Sequence, residues 1–299
     1  MTNNRFNNKY FFIGLVFVLF CSISCKNNST SEQINQSETV DSSQSNFIKV
    51  DKAVFSIPSP YQTSILFKSL GIEYNKNFCN TNTNLAVYST NFKKALNLGV
   101  YGADLGYVSI YDQNQEAINY LKSAQKLASD MGIAGAFDKK LIERFQAALG
   151  KKDSMLSISS LAFRAANNYL QNNERNDIAA LVIAGGFIET MYLTVTLANQ
   201  YKTLELYNRV GEHKSSLDNL IKLLTPYYEK PEYTELVDQL IDLAYIFDAI
   251  EFKYSYAPPT TYEDKKLTVI NGKTEVIITP EQIVEITKKI TNIRNQIIS

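Results

Sequence analysis

The chain contains no tryptophan and a single histidine, His213, among its 299 residues. One imidazole excludes a histidine-rich metal centre, and His213 sits in the polar run Gly211-Glu-His-Lys214, where a solvated position is expected rather than a triad. The missing tryptophan removes the ring best suited to stacking on a sugar, although 19 tyrosines are present. No phosphate loop and no dinucleotide fingerprint occurs. Thirty basic residues balance thirty acidic ones without a basic tract, so the electrostatic footprint of a nucleic-acid partner is absent. No metal and no cofactor is expected.

Cysteine is scarce too, at three residues, and the positions are informative. Arg5 and Lys9 form a basic start, Tyr10 to Phe20 is uninterruptedly apolar, and Ser22 and Ser24 supply small residues before Cys25. This is the pattern of a lipoprotein export signal over residues 1–24, with Cys25 as the lipidation site for diacylglycerol and a palmitate-type chain. The apolar stretch is shorter than the roughly 20 residues that span a bilayer. Loss of the signal removes Cys21, Arg5 and Lys9, leaving 28 basic against 30 acidic residues and Cys79 without a disulfide partner. Of the 21 residues from Lys26 to Asn46, 15 are Ser, Thr, Asn or Gln. Such a stretch reads as a tether, spanning roughly 25 Å as a random coil. Lys26, where an inner-membrane retention aspartate would stand, points to the outer membrane. With no acidic cluster directly behind Cys25, the periplasmic face is expected over the cell surface.

Residues 47–299 read as one mainly all-α domain. Pro60 starts a helix that stops at Gly71, and a long apolar helix is expected over about 84–111. Further helices are expected over 116–131, from Asp138 to Gly150, from Asp153 to about 172, and from Asp177 to Gln200. Two more follow over about 203–224 and 231–256. Leu267 to Ile270 and Thr274 to Ile278 alternate around Asn271-Gly272, which predicts a β-hairpin over about 267–278. Thr279-Pro-Glu-Gln282 predicts a capping box opening a last helix over 280–297. Paired helices suggest a helical-repeat arrangement, but no second copy recurs at about 34 residues, so an irregular multi-helix bundle is expected.

Two helices carry one charge each in an apolar context. Ile178 to Ala198 holds only Glu189, and is expected as the buried central helix rather than a membrane span. Glu189 projects over Gly185 and Gly186, so either a neighbouring backbone or a small ligand fills that gap. A buried ion pair is expected for it, with Arg144 and Arg164 as candidate partners. Leu96 to Tyr111 holds only Asp104, flanked by Tyr101 and Tyr107 and nearly opposite the packing face of Gly99, Gly102 and Gly106. Tyr101, Asp104, Tyr107, Glu189 and Tyr192 form the candidate ligand pocket, and no catalytic residue is assigned.

Four stretches, Ile57-Pro-Ser-Pro60, Lys94 to Tyr107, Gly135-Ala-Phe-Asp138 with Ile142-Glu-Arg-Phe145, and Asn173 to Ile178 leading into Ala184 to Glu189, resemble a family of predicted lipoproteins common in Bacteroidota. The resemblance implies an envelope location and carries over no activity or site residue. The sequence therefore supports a lipid-anchored, non-catalytic accessory or scaffold subunit that binds another envelope protein. A small-ligand or glycan-binding lipoprotein is the alternative. A hydrolase built on the Asp104–Glu189 pair requires carboxyl groups about 5–9.5 Å apart across a cleft.

Overall fold

The computed structural model describes residues 46–50, 53–57, 59–81 and 85–299. Side chains of residues 46–57 and of 152, 153, 156, 160, 163, 164 and 167 fall outside that description. The expected signal, Cys25 and the tether up to residue 45 lie outside the described residues, as does the side chain of Arg164. The chain divides into residues 1–41 and a compact unit over 42–299.

That unit is predominantly helical. A short hairpin, β1 (Asn46–Val50) with β2 (Ala53–Ile57), precedes α1 (Pro60–Ser69). Pro60 sits at the first helical position and Gly71, at φ 72°, takes the left-handed conformation that ends the turn. The long apolar helix α2 (Asn91–Ile110) begins several residues later than its composition suggests. Residues 85–87 form a separate single turn, and Thr90 provides the cap by accepting from the Lys93 N–H at 3.1 Å. There follow α3 (Asn114–Asp130), α4 (Lys139–Ala148), α5 (Lys152–Asn172) and α6 (Asn176–Tyr201). Asp138 caps α4 through the Leu141 N–H, whereas α5 starts ahead of Asp153, without a side-chain cap. Thr203 caps α7 (Leu204–Leu224), and Pro231 opens α8 (Pro231–Asp248). In α9 (Pro280–Ile298) both halves of the Thr279–Gln282 capping box are made.

Helix α6 is the axis of the bundle, packed against α2, α7 and α9. It is long and apolar enough to cross a membrane, but it is enclosed by its neighbours from Ile178 to Ala198. Closest of these is α2. A Cβ on Gly185 would lie 1.9 Å from the Leu96 carbonyl oxygen, and one on Gly99 would lie 2.0 Å from that of Val182. Backbone, not ligand, therefore fills the glycine floor beneath Glu189. The glycine triplet of α2 has three fates: Gly99 meets α6, Gly106 meets the start of α1, and Gly102 meets nothing within 4 Å among the described residues.

The C-terminal β-structure corrects two expectations. Helix α8 ends at Asp248, because residues 251–255 alternate with period two and form β3 (Glu251–Ser255). Next come β4 (Thr260–Tyr262), β5 (Leu267–Val269) and β6 (Lys273–Ile277). The expected hairpin between β5 and β6 does not form, since β5 pairs with β4 and β6 pairs with β3. Asn271 accordingly makes no hairpin turn; its Nδ2 donates to the Pro258 carbonyl and to Thr260 Oγ1. The reversal occurs instead at Glu263–Lys266, where Lys266 adopts φ 48°. The result is a β-arm over residues 251–277, seated by Val276 against Gly211 of α7, where a Cβ would lie 2.3 Å from a Val276 methyl.

Candidate functional site

Sequence reasoning places its candidates on α2 and α6, and the fold brings them together in a buried polar centre. Glu189 and Asp104 are both fully buried. The guanidinium that meets Glu189 belongs to Arg294 of α9, with Nε 2.6 Å from Oε2 and Nη2 2.7 Å from Oε1. This replaces Arg144, which is exposed on α4. The same guanidinium lies 4.1 Å above the Tyr192 ring and donates from Nη2 to the Phe78 carbonyl at 3.3 Å. A bidentate, ring-stacked contact is the geometry that best offsets the cost of burying both charges.

Asp104 completes the centre from α2. Its Oδ2 accepts from the Asn80 N–H at 3.0 Å, while Oδ1 has no donor partner among the described residues. Burial raises its pKa well above the carboxylate range, and the neighbouring Glu189 charge raises it further. Burial raises Glu189 too, but the charge and hydrogen bonds of Arg294 oppose this, and so does a hydrogen bond from Asp104. Of the two carboxyls, Asp104 therefore carries the proton and donates it to the Glu189 carboxylate. The unpaired Oδ1 is explained in the same way, because as a hydroxyl it is a donor.

The tyrosines act on the segment that crosses this centre. Tyr101 Oη donates to the Thr81 carbonyl at 2.8 Å, Tyr120 Oη to that of Asn80 at 2.7 Å, and Tyr111 Oη to that of Ile72 at 2.8 Å. Tyr107 Oη accepts from the Asn75 N–H at 3.0 Å, and burial raises its pKa to about 12. Asn97 donates to the Ile297 carbonyl at 2.7 Å and ties the end of α9 to α2. Residues 72–81 are thus pinned by hydroxyls whose rings pack into the core, and the aromatic wall is occupied by the protein's own backbone. Neither of the two cavities described for the fold is lined by Tyr101, Asp104, Tyr107, Glu189 or Tyr192.

Cys79 is free and buried beside the pair, its thiol pushed up above all by desolvation and further by the neighbouring Glu189 carboxylate. A thiol held protonated is a poor nucleophile. Among the described residues, no group of three or more His, Cys, Asp or Glu side chains converges to hold a metal. Asp104 and Glu189 are buried together in the core and line neither described cavity. No protein-family model, curated protein or solved structure matches the chain.

His213 corrects another expectation, because it is fully buried. Leu206, Val210, His213 and Leu217 recur at helical spacing on the face of α7 turned to α6. The ring lies 5.6 Å from that of Phe187, and Nδ1 bonds the Arg209 carbonyl at 2.7 Å. Burial lowers its pKa to about 4. Arg294 was equally legible in principle. It interrupts the stripe Ile283, Ile286, Ile290, Ile297 on α9, where an arginine needs a buried partner.

Proposed function

We propose that this protein is a lipid-anchored envelope protein whose helical body is a non-catalytic accessory or scaffold, docking on another envelope protein through its β-arm. The anchor rests on the signal pattern ending at Cys25, and the outer membrane, periplasmic side, on Lys26 and the residues that follow it. The docking rests on one observation. Of the fourteen exposed large hydrophobic side chains among the described residues, eight lie in the 27-residue arm: Phe252, Tyr254, Tyr256, Tyr262, Leu267, Val269, Ile270 and Ile277. Apolar exposure concentrated this way marks an interaction surface.

The chemistry of the arm favours a protein over a lipid surface. Lys253, Lys265, Lys266 and Lys273 are offset by Glu251, Glu263, Asp264 and Glu275, so no basic field attracts anionic headgroups. Tyrosine and phenylalanine with aliphatic neighbours make up the composition of interface cores. Both ribbons of the arm are two-stranded, which leaves outer edges without a strand neighbour, a template for a strand from the partner. The buried polar centre takes no part in docking; it holds the segment over residues 72–81 to the body.

The reading is tested by substituting Tyr254→Ser together with Ile270→Ser, both well exposed at 60% and 72%. An envelope protein co-isolated with the wild type is expected to fall at least tenfold with the double variant, at unchanged thermal stability. Equal recovery from both refutes arm docking. Incorporation of labelled palmitate, abolished by Cys25→Ser, tests the anchor separately.

A further inference from the structure

We propose that the bundle holds a binding site for a single hydrocarbon chain, in the apolar cavity between the α2–α6 pair and the α4–α5 hairpin. The cavity measures about 180 Å³ and no charged side chain lines it among the described residues. Its only polar side chains come from tyrosine and serine, and its walls are built from Leu98, Phe137, Leu141, Phe145 and Val182 among others. For comparison, an apolar cavity of roughly 150 Å³ stays dry and takes up a ligand the size of benzene.

Two independent features indicate that this space is kept open. The buried side chains divide into two hydrophobic clusters, a large one around α2, α6, α7 and α9 and a small one around Tyr61, Leu141, Phe145 and Met155. The cavity lies along their junction and draws walls from both, while Tyr111 and Leu149, outside its lining, pack against both clusters. The second feature is Gly102. Glycine in the middle of a helix is unfavourable unless something needs its small size. A Cβ at Gly99 would strike a backbone, but one at Gly102 would meet nothing within 4 Å among the described residues. Gly102 is also the exposed residue within the otherwise enclosed run Ala95 to Ile110, so the cavity opens to solvent beside it.

These features select the ligand class. A wall without charges or a convergent set of donors recognises no headgroup, and an open mouth lets one remain outside. A slender alkyl chain satisfies both conditions; a polar metabolite satisfies neither. The chain belongs to a separate lipid. The inference rests on the cavity and is independent of docking by the β-arm.

The test is photolabelling of the full chain in cells fed palmitate bearing a diazirine near its terminal carbon, followed by peptide mapping. Adducts are expected on residues 98–106 or 137–166. In Gly102→Phe, which fills the mouth, those adducts should drop at least tenfold while labelling of other membrane proteins is unchanged. Ala162→Leu, from the opposite wall, provides the same reading should Gly102→Phe fail to fold. The same adducts are expected in Cys25→Ser, where residue 25 carries no label, and their loss from the folded variant overturns the proposal. Absence of adducts from these peptides in the wild type overturns the proposal. So does undiminished labelling of a folded, cavity-filled variant.

Discussion

Replacing Arg294 with methionine keeps an unbranched apolar stem and removes the guanidinium paired with Glu189. Glu189 is fully buried and Arg294 is 6% exposed, so water cannot substitute for the lost partner. Breaking such a pair from one side costs about 3–5 kcal/mol. The cost has a ceiling, because the stranded carboxyl can take up a proton instead of remaining charged. From an unfolded value near 4.3, holding it neutral at pH 7 costs about 3.7 kcal/mol at 1.36 kcal/mol per unit. The sign of the pH dependence follows. A carboxyl with a raised folded pKa binds more protons folded than unfolded, so its penalty is complete at high pH and disappears as pH falls towards about 4. Urea unfolding followed by circular dichroism should therefore give a loss of about 3–4 kcal/mol at pH 7, shrinking by over 1 kcal/mol between pH 6 and pH 5. The double variant Glu189→Leu, Arg294→Met should regain most of the loss, since no charge is left buried. A loss below about 1 kcal/mol at pH 7, or one independent of pH, would refute the buried bidentate pair.

Three further outcomes follow from the same geometry. Asp104→Asn should cost less than about 1.5 kcal/mol at pH 7, because an amide replaces a carboxyl that is already neutral and can still donate to Glu189; a loss as large as that of Arg294→Met would mean that Asp104 is ionised. Gly185→Ala should destabilise by about 1–3 kcal/mol or more, since its methyl meets the Leu96 backbone rather than a yielding side chain, and a melting temperature equal to the wild type would show that α2 and α6 are less closely packed. His213, with its folded pKa lowered to about 4, binds fewer protons folded than unfolded, so stability is lost as pH falls from about 6.5 through 4. That loss, roughly 3 kcal/mol in full, should be absent from His213→Gln in acid titrations of stability.

Much of the helical scaffold was legible because it rests on local chemistry. Pro60, Thr203, Pro231 and the Thr279–Gln282 box start the helices they were expected to start, and Gly71 and Gly132 end theirs with positive φ. The misreadings involve competition between local and distant partners. Residues 251–255 were expected to continue a helix although they alternate with period two, and the strand that pairs with them, β6, lies more than a dozen residues further on. Asn271-Gly272 has the composition of a tight turn, but Asn271 finds better acceptors at Pro258 and Thr260.

The candidate site was legible in membership and not in partnership. A lone Asp and a lone Glu in apolar helices had to meet something, and glycines beneath Glu189 had to admit something. Which guanidinium arrived depends on packing α9 against α6, across a sequence separation of 105 between Glu189 and Arg294. Periodicity reports which face of a helix is buried, but not which face meets it. His213 was misread for the opposite reason: its immediate neighbours are polar, while Val210 three positions before it and Leu217 four positions after it, which share its face, are apolar.

The docking surface itself can be tested by placing a photo-crosslinking amino acid at Tyr254 and Ile270, with Glu143 on α4 as an exposed control, and irradiating intact cells. One dominant envelope protein should be captured from both arm positions and not from Glu143. Capture of lipids and abundant bystanders alone, or equal yields from arm and control, would contradict a partner-binding arm.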